Sequence, residues 1–235
     1  MKQLKEFFAN KPVASIIDAG TGTGDFIAVL KEVFPMAHIT GIDPNTESLQ
    51  EAAQKFQDVF FAEMSAEKLD FADNSFDLAS ISMALHHLPD IQKALKELQR
   101  VVKPGGWIIV NELFSDNLNP AQETHKMMHH FRSKIDRLIG VNHNETFKKH
   151  EIVEMVANAG IEVLYDFEHI PEPVLLNMPG ELENRVEKMK LHLEKIKNLK
   201  EYGIFKPQID GFKNAALKNG FQSATRIVLV GKPSK

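Results

Sequence analysis

The chain has 235 residues, no cysteine, and 28 Lys plus Arg against 32 Asp plus Glu, a formal net charge of −4. Without cysteine there are no disulfides, thiolate metal sites or cysteine nucleophiles, and the mild acidity argues against a nucleic-acid protein, which normally carries a basic patch. The length predicts one large α/β domain with insertions, able to bury its core without staples. The opening residues Met1 to Phe8 lack the apolar core and cleavage site of a signal peptide. No apolar run approaches the roughly 20 residues of a membrane span, so the expectation is a cytoplasmic protein with no membrane partner.

Residues 2–10 read as a short helix with Leu4, Phe7 and Phe8 on one side. The apolar run Val13 to Ile17 is a buried strand ending in Asp18-Ala19-Gly20-Thr21-Gly22-Thr23-Gly24, and Phe26, Ile27, Leu30 and Val33 then recur at helical spacing until Pro35. Strand, glycine turn and helix together make the general plan of a nucleotide site: the backbone admits close approach, and the helix start offers free N–H groups. A dinucleotide fingerprint counted from Gly20 would need its third glycine at Asp25, so that pattern fails. His38 to Ile42 is a second strand ending in Asp43-Pro44-Asn45. An acid about 20 residues past the glycines suits a ribose diol, since a carboxylate accepts from both hydroxyls; the competing reading is a turn or helix-cap aspartate.

Val59 to Ala62 is a third strand, followed by Glu63 to Phe71 and by Asn74-Ser75-Phe76-Asp77, which opens a fourth strand over Phe76 to Met83. That strand ends in Ala84-Leu85-His86-His87-Leu88-Pro89-Asp90. An amphipathic helix over Ile91 to Val102 then stops at Lys103-Pro104-Gly105-Gly106, before a fifth strand over Trp107 to Glu112.

The order D-x-G-x-G-x-G, Asp43, the Ser65-Ala66-Glu67 stretch, Asn74 to Asp77, His-His-Leu-Pro-Asp and Leu-x-Arg-Val-x-Lys-Pro-Gly-Gly resembles class I S-adenosylmethionine-dependent methyltransferases over residues 14–112. Within them it is most similar to the small-molecule enzymes of ubiquinone and menaquinone biosynthesis. The resemblance implies a Rossmann-like, seven-stranded, mostly parallel sheet with helices on both faces and a helical lid made by insertions. It also implies S-adenosylmethionine as cofactor, with S-adenosylhomocysteine as product. Asp18, Gly20, Thr21, Gly22, Gly24 and Phe26 would then cradle the amino-acid end. Asp43 and Pro44 would meet the ribose, and Met64, Ser65 and Ala66 the adenine, although the family usually has Asp where Ser65 stands. Ser82, Met83, Ala84 and His87 would complete the cofactor wall. The missing cysteines remove the subclasses that attack pyrimidine C5 or bind arsenic through thiols. The Asn/Asp-Pro-Pro-Tyr/Phe sequence of amine and amide methylators is absent after the fourth strand.

Past Glu112 the resemblance weakens. Residues 120–140 read as a helix with His125, His129, Arg132 and Asp136 in one line along it. His86 and His87 are candidate proton acceptors, with a structural role as the alternative. His86, Glu112, His125, Met128, His129 and Arg132 are candidate acceptor-lining residues. The spacing of His125 and His129 also permits a metal, but a polar pocket wall is favoured. Phe147 to Gly160 reads as a helix before a sixth strand over Ile161 to Phe167. Pro171, Pro173 and Pro179 mark a loop opening an insertion over 170–222. It holds a helix over 181–202, with Leu182, Val186, Met189, Leu193 and Ile196 as a narrow apolar seam, and a second helix over 208–218. The seam suits a lid on the core or a dimer contact. Thr225 to Val230 is the closing strand.

These readings divide the chain into a cofactor-binding domain over 1–169 and 223–235, containing a substrate-covering insertion at 113–146, and a lid at 170–222. They make the chain a methyltransferase acting on a small molecule at an O, N or C atom, as monomer or homodimer. The alternative is a cofactor-binding protein on the same fold that does not methylate, such as an accessory subunit, cyclase or isomerase.

Overall fold

The structure is a computed structural model that describes residues 1–174 and 180–234; Pro179 lies outside them. In chain order the elements are α1 (Lys2–Phe8), β1 (Ser15–Ala19), α2 (Asp25–Val33), β2 (His38–Asp43), α3 (Thr46–Lys55), β3 (Phe60–Glu63), β4 (Phe76–Ser82), α4 (Ile91–Val101), β5 (Val102–Leu113), α5 (Pro120–Leu138), α6 (Lys149–Asn158), β6 (Ile161–His169), α7 (Glu181–Glu194), α8 (Tyr202–Asn219) and β7 (Arg226–Pro233). They divide into two compact units, Met1–Glu112 with His150–His169 and Ile227–Lys235, and Leu113–Lys149 with Ile170–Arg226.

The first unit is built on a seven-stranded sheet, mixed but mostly parallel, in the order β3-β2-β1-β4-β5-β7-β6. β1 pairs in parallel with β2 on one side and β4 on the other. The chain therefore reverses its direction of travel across the sheet at β1, and the crevice beyond the strand ends at such a point is where α/β sheets bind ligands. Ile16, Leu78, Ile109, Val228 and Val230 of the sheet pack with Leu4 and Phe8 of α1 and Phe26, Ile27 and Leu30 of α2 in one core. Phe7 stacks on Tyr165 at 4.8 Å between ring centroids and meets Trp107 edge-on, which ties α1 to β5 and to the edge strand β6.

Two ion clusters set the loops at the sheet's other positions. Arg100 of α4 donates to the Leu69 and Phe71 carbonyls and to Glu97 and Asp73, so residues 69–73 are anchored to α4. Asp77 Oδ2 accepts from the Ala14 and Ser15 N–H groups and from Ser15 Oγ, while Oδ1 accepts from Lys103 Nζ at 2.7 Å. Burial alone would raise the Asp77 pKa; the Lys103 ammonium and these N–H and hydroxyl donors outweigh it and hold the carboxyl at about 2. Its folded pKa lies below the unfolded 3.8, so its stabilisation is present above that value and is lost as pH falls towards 2. Asp77→Asn is expected to cost about 2 kcal/mol at neutral pH, a gap that urea unfolding should find closing as the pH is lowered through this window.

Strand β5 begins at Val102, earlier than Trp107. Val102 pairs with Phe76, Trp107 pairs with Leu78, and the register shifts between them, so Lys103-Pro104-Gly105-Gly106 is an irregularity inside the strand rather than a loop before it. A side chain at Gly106 would come within 2.7 Å of the Asp77 carbonyl oxygen, which explains the need for glycine there.

The second unit joins the two segments that the sequence reading kept apart, 113–146 and 170–222. Phe131 and Ile135 of α5, Leu182, Met189 and Leu193 of α7, and Phe205, Ile209, Phe212 and Ala216 of α8 form one core. The narrow apolar seam of α7 is thus filled by helices of its own unit. The helix expected over 181–202 ends at Glu194: tight turns follow, with Lys195, Ile196 and Lys197 N–H groups donating to His192, Leu193 and Glu194 carbonyls. Ile196 stays buried, so the seam outlasts the helix. Helix α8 starts at Tyr202, before rather than after Pro207. No helix among the described residues is long and apolar enough to cross a membrane.

Candidate cofactor site

The site is built where β1, β2, β3 and β4 end. The Asp18 side chain is buried at the end of β1. Its Oδ2 accepts from Thr21 Oγ1 at 2.7 Å and its Oδ1 from Ser80 Oγ at 2.6 Å, so it binds the glycine turn to β4. Burial raises the Asp18 pKa to about 6, against the lowering effect of those two hydroxyls. A folded pKa above the unfolded 3.8 means that stability is highest below 3.8 and falls as pH rises through 6, by about 3 kcal/mol at full extent. Asp18→Asn keeps the shape and removes the charge. Relative to the parent it should gain about 2–3 kcal/mol between pH 4 and 7 in urea unfolding without added cofactor.

The glycine turn itself leaves β1 with Gly20 at φ +67° and Gly22 at φ +52°. A Cβ at Gly20 would lie 2.6 Å from Ala84 Cβ, whereas one at Gly22 would meet nothing within 4 Å. Gly20 therefore lets the ends of β1 and β4 touch, and Gly22 faces open space. The Gly22 N–H donates to Asp43 Oδ2 at 2.9 Å, and the Asn45 N–H donates to Oδ1 at 2.8 Å. Asp43 is only partly buried, and Pro44 beside it is exposed. The Met64 N–H donates to the Asp43 carbonyl at 3.2 Å, which brings the end of β3 alongside.

Ser65 Oγ donates to Glu67 Oε2 and accepts from the Glu67 N–H, both at 3.2 Å, and Glu67 Oε1 accepts from the Asp90 N–H. Glu67 thus couples the Met64-Ser65-Ala66 segment to the start of α4. At the end of β4, Met83 has φ +54°, a conformation that is uncommon for a bulky residue and that gathers at functional sites. It is held by its N–H donating to the Asn111 carbonyl at 2.7 Å, while Asn111 Nδ2 donates to Ser82 Oγ at 2.8 Å. Phe26 is set apart from the other cofactor candidates: its ring lies in the core cluster under α2, leaving its backbone at the turn.

His86 and His87 form a 3-10 turn with Leu85, their rings 4.3 Å apart. His86 Nδ1 lies 2.9 Å from Glu112 Oε1, and both side chains are buried. This pair joins the end of β4 to the end of β5, 26 residues apart in sequence. No spacing rule pointed to it.

In the helical unit, His125, Met128, His129 and Arg132 all stand on α5. His125 Nδ1 accepts from the Ala224 N–H at 3.4 Å, and its ring meets Phe221. His129 lies 6.4 Å from His125 and 5.0 Å from His143 between ring centroids, so its i, i+4 neighbour is joined by a residue from beyond the helix. Asp136 is the unit's buried anchor: Oδ2 lies 2.7 Å from His143 Nδ1 and Oδ1 lies 2.8 Å from His192 Nε2.

Residues 17–110 match the family model described as a methyltransferase domain. A demethylmenaquinone methyltransferase of Chlorobaculum parvum is 33% identical over 132 residues, 56% of this chain and 54% of that protein. The ubiquinone/menaquinone biosynthesis C-methyltransferase UbiE of Bdellovibrio bacteriovorus is 36% identical over 121 residues, 50% of this chain and 52% of that protein. The chain spans about half the length of these curated relatives. Among solved structures, the cyclase SpnF aligns with a TM-score of 0.62 at 20% identity, over 100% of this chain and 80% of that one, and so shares the fold. Residues 17–110 are thus similar in sequence to a methyltransferase domain, and the solved structures share the chain's fold.

Proposed function

We propose that the protein transfers a methyl group from S-adenosylmethionine to a small-molecule acceptor by in-line displacement. The observation that carries this reading is the glycine turn at the sheet's switch point, where Gly20 abuts Ala84 past the β4 end and Gly22 donates to Asp43, inside the stretch that matches the methyltransferase domain. The residues fit the cofactor's chemistry: open space faces Gly22, and a partly exposed carboxylate stands beside it at Asp43.

The sulfonium supplies an activated methyl group when the cofactor is bound. The chain's own residues bind, orient and exclude water. Asp43 accepts from the ribose hydroxyls. The Gly20 to Gly24 backbone and Thr21 receive the amino-acid end, with Asp18 acting through the turn it holds. Met64, Ser65 and Ala66 take the adenine, and Ser82, Met83, Ala84 and His87 close the wall. Glu112 faces Nδ1 of His86 and orients the ring, and His86 and His87 are the groups proposed to take a proton from an acceptor hydroxyl or amine.

Acceptor recognition is assigned to His86 and Glu112 in the first unit; in the helical unit His125, Met128, His129 and Arg132 stand as candidates along α5. The family match stops at residue 110, and that unit begins at 113. Their mixture of methionine, imidazole and guanidinium suits a partly apolar molecule with a polar handle. The likeness to SpnF supports one competing reading, a cofactor-binding protein that rearranges its substrate without methylating it. Calorimetric titration with S-adenosylmethionine and S-adenosylhomocysteine tests the shared premise: saturable binding of both is expected, and no binding of either overturns both readings.

A further inference from the structure

Helices α5 and α7 flank a partly open cavity of about 270 Å³ within the helical unit, lined by Met128, Arg132, Glu181, Asn184, Arg185, Lys188 and Met189. Three of these side chains are cations and one is an anion. Glu181 is already committed to Arg185, 3.3 Å from its Nη2. Arg132 and Lys188 are exposed, and neither has a carboxylate partner among the described residues. With Arg185 paired to Glu181, Arg132 and Lys188 leave two like charges beside a small hollow, which raises the local potential and favours entry of a counter-charge.

Arg185 is the most informative of the three. Its guanidinium lies over the Phe221 ring, 4.1 Å from the centroid, so the fork is held in one orientation by stacking. Its Nε is buried, and among the described residues it has no hydrogen-bond partner. Buried donors are normally satisfied, and an arginine fixed in this way presents donors suited to a planar or tetrahedral oxyanion. Met128 and Met189 add adaptable apolar surface, and Asn184 a further polar group.

We propose that this cavity binds a small organic anion, its carboxylate or phosphate held by Arg132, Arg185 and Lys188 and its apolar part against Met128 and Met189. The volume lies near the lower end for ligand sites, roughly 300 Å³ and upward, which limits the ligand to a metabolite-sized molecule. The proposal rests on the helical unit alone; because Met128 and Arg132 are also acceptor-lining candidates, it deepens that reading by giving the ligand an anionic group, while anion binding itself does not require methyl transfer.

The test is calorimetric titration of the whole chain with two probes, inorganic pyrophosphate and hexanoate, in low salt. One-to-one saturable binding of at least one is expected, weakening as salt is raised. Tighter pyrophosphate binding assigns a phosphate ester and tighter hexanoate binding a carboxylate with an aliphatic body; either supports the site. Arg132→Gln, on the exposed face of α5, is expected to weaken binding about 10-fold, and Arg185→Gln by at least as much. Lys197→Gln, outside the cavity, should leave it unchanged. Thermal melts followed by circular dichroism establish that each variant is folded, so loss at Arg185 is not mistaken for unfolding. Absence of saturable binding of either probe, or binding that Arg132→Gln and Lys188→Gln leave intact, overturns the proposal. S-adenosylmethionine binding in the same preparation separates that failure from failure of the methyl-transfer reading.

Discussion

Asp43→Ala is expected to lower affinity for S-adenosylmethionine by about 100-fold or more while the fold survives. A carboxylate that accepts from both ribose hydroxyls makes two charge-assisted hydrogen bonds, each contributing about 1.5–3 kcal/mol. The same carboxylate accepts from the Gly22 and Asn45 N–H groups, so its loss also loosens the glycine turn. That second effect should appear as a modest fall in stability, about 1–2 kcal/mol, because the donors it abandons are near solvent. Asp43→Asn retains the shape and loses the charge, and one end of its amide must present N–H to an N–H. Its affinity should fall between parent and alanine variant. Calorimetry and urea unfolding on the same samples separate the two effects; an alanine variant that binds as tightly as the parent would remove Asp43 from the site.

The second large effect distinguishes two glycines of one turn. Gly20→Ala places Cβ 2.6 Å from Ala84 Cβ at φ +67°. Left-handed backbone with a side chain costs about 1–2 kcal/mol, and forcing the ends of β1 and β4 apart adds about 1–3 kcal/mol. The sum predicts a Tm lower by roughly 10 °C for a chain of this size. Gly22→Ala pays only the conformational part, because no atom lies within 4 Å of its Cβ. Its Tm should fall by a few degrees, about 2–4 °C per kcal/mol. The added methyl group would instead occupy the space assigned to the cofactor, and affinity should fall about 10-fold or more. Thermal melts and titrations on both variants give the two patterns; equal effects on stability would contradict the assignment of Gly20 to packing and Gly22 to ligand.

Much of the sheet was legible because its signals are local. The run Val13 to Ile17, the glycine turn and the helix behind it are contiguous, and Asp43 sits at a fixed distance from them. Strand order and the switch point then follow from the topology that such a series of units adopts. The tight contact of Gly20 with Ala84, the Asn111 support beneath Met83 and the His86–Glu112 pair all join different strands, and no periodicity encodes them. The irregular start of β5 was read as a helix stop because Pro-Gly-Gly signals a break without saying whether a strand resumes pairing around it.

The helical unit was the least legible part for the same reason. Its core is assembled from segments on both sides of α6 and β6, so each amphipathic stripe was visible and its partner was not. Asp136 looked like one member of a polar line along α5, yet it is buried between His143 and His192. Arg185 and Lys188 lie between the seam positions of α7, and only the packing of α7 on α5 brings them to Arg132 and Met128.

The central claim is methyl transfer to a small molecule, and the most direct measurement is to follow the label from methyl-labelled S-adenosylmethionine. The whole chain is incubated with the small-molecule fraction of a cell extract, and both the labelled products and S-adenosylhomocysteine are quantified. The account predicts a labelled small-molecule product, formed in equal amount to S-adenosylhomocysteine and abolished by Asp43→Ala. Tight cofactor binding with neither labelled product nor S-adenosylhomocysteine would contradict it and leave a cofactor-binding protein that does not methylate.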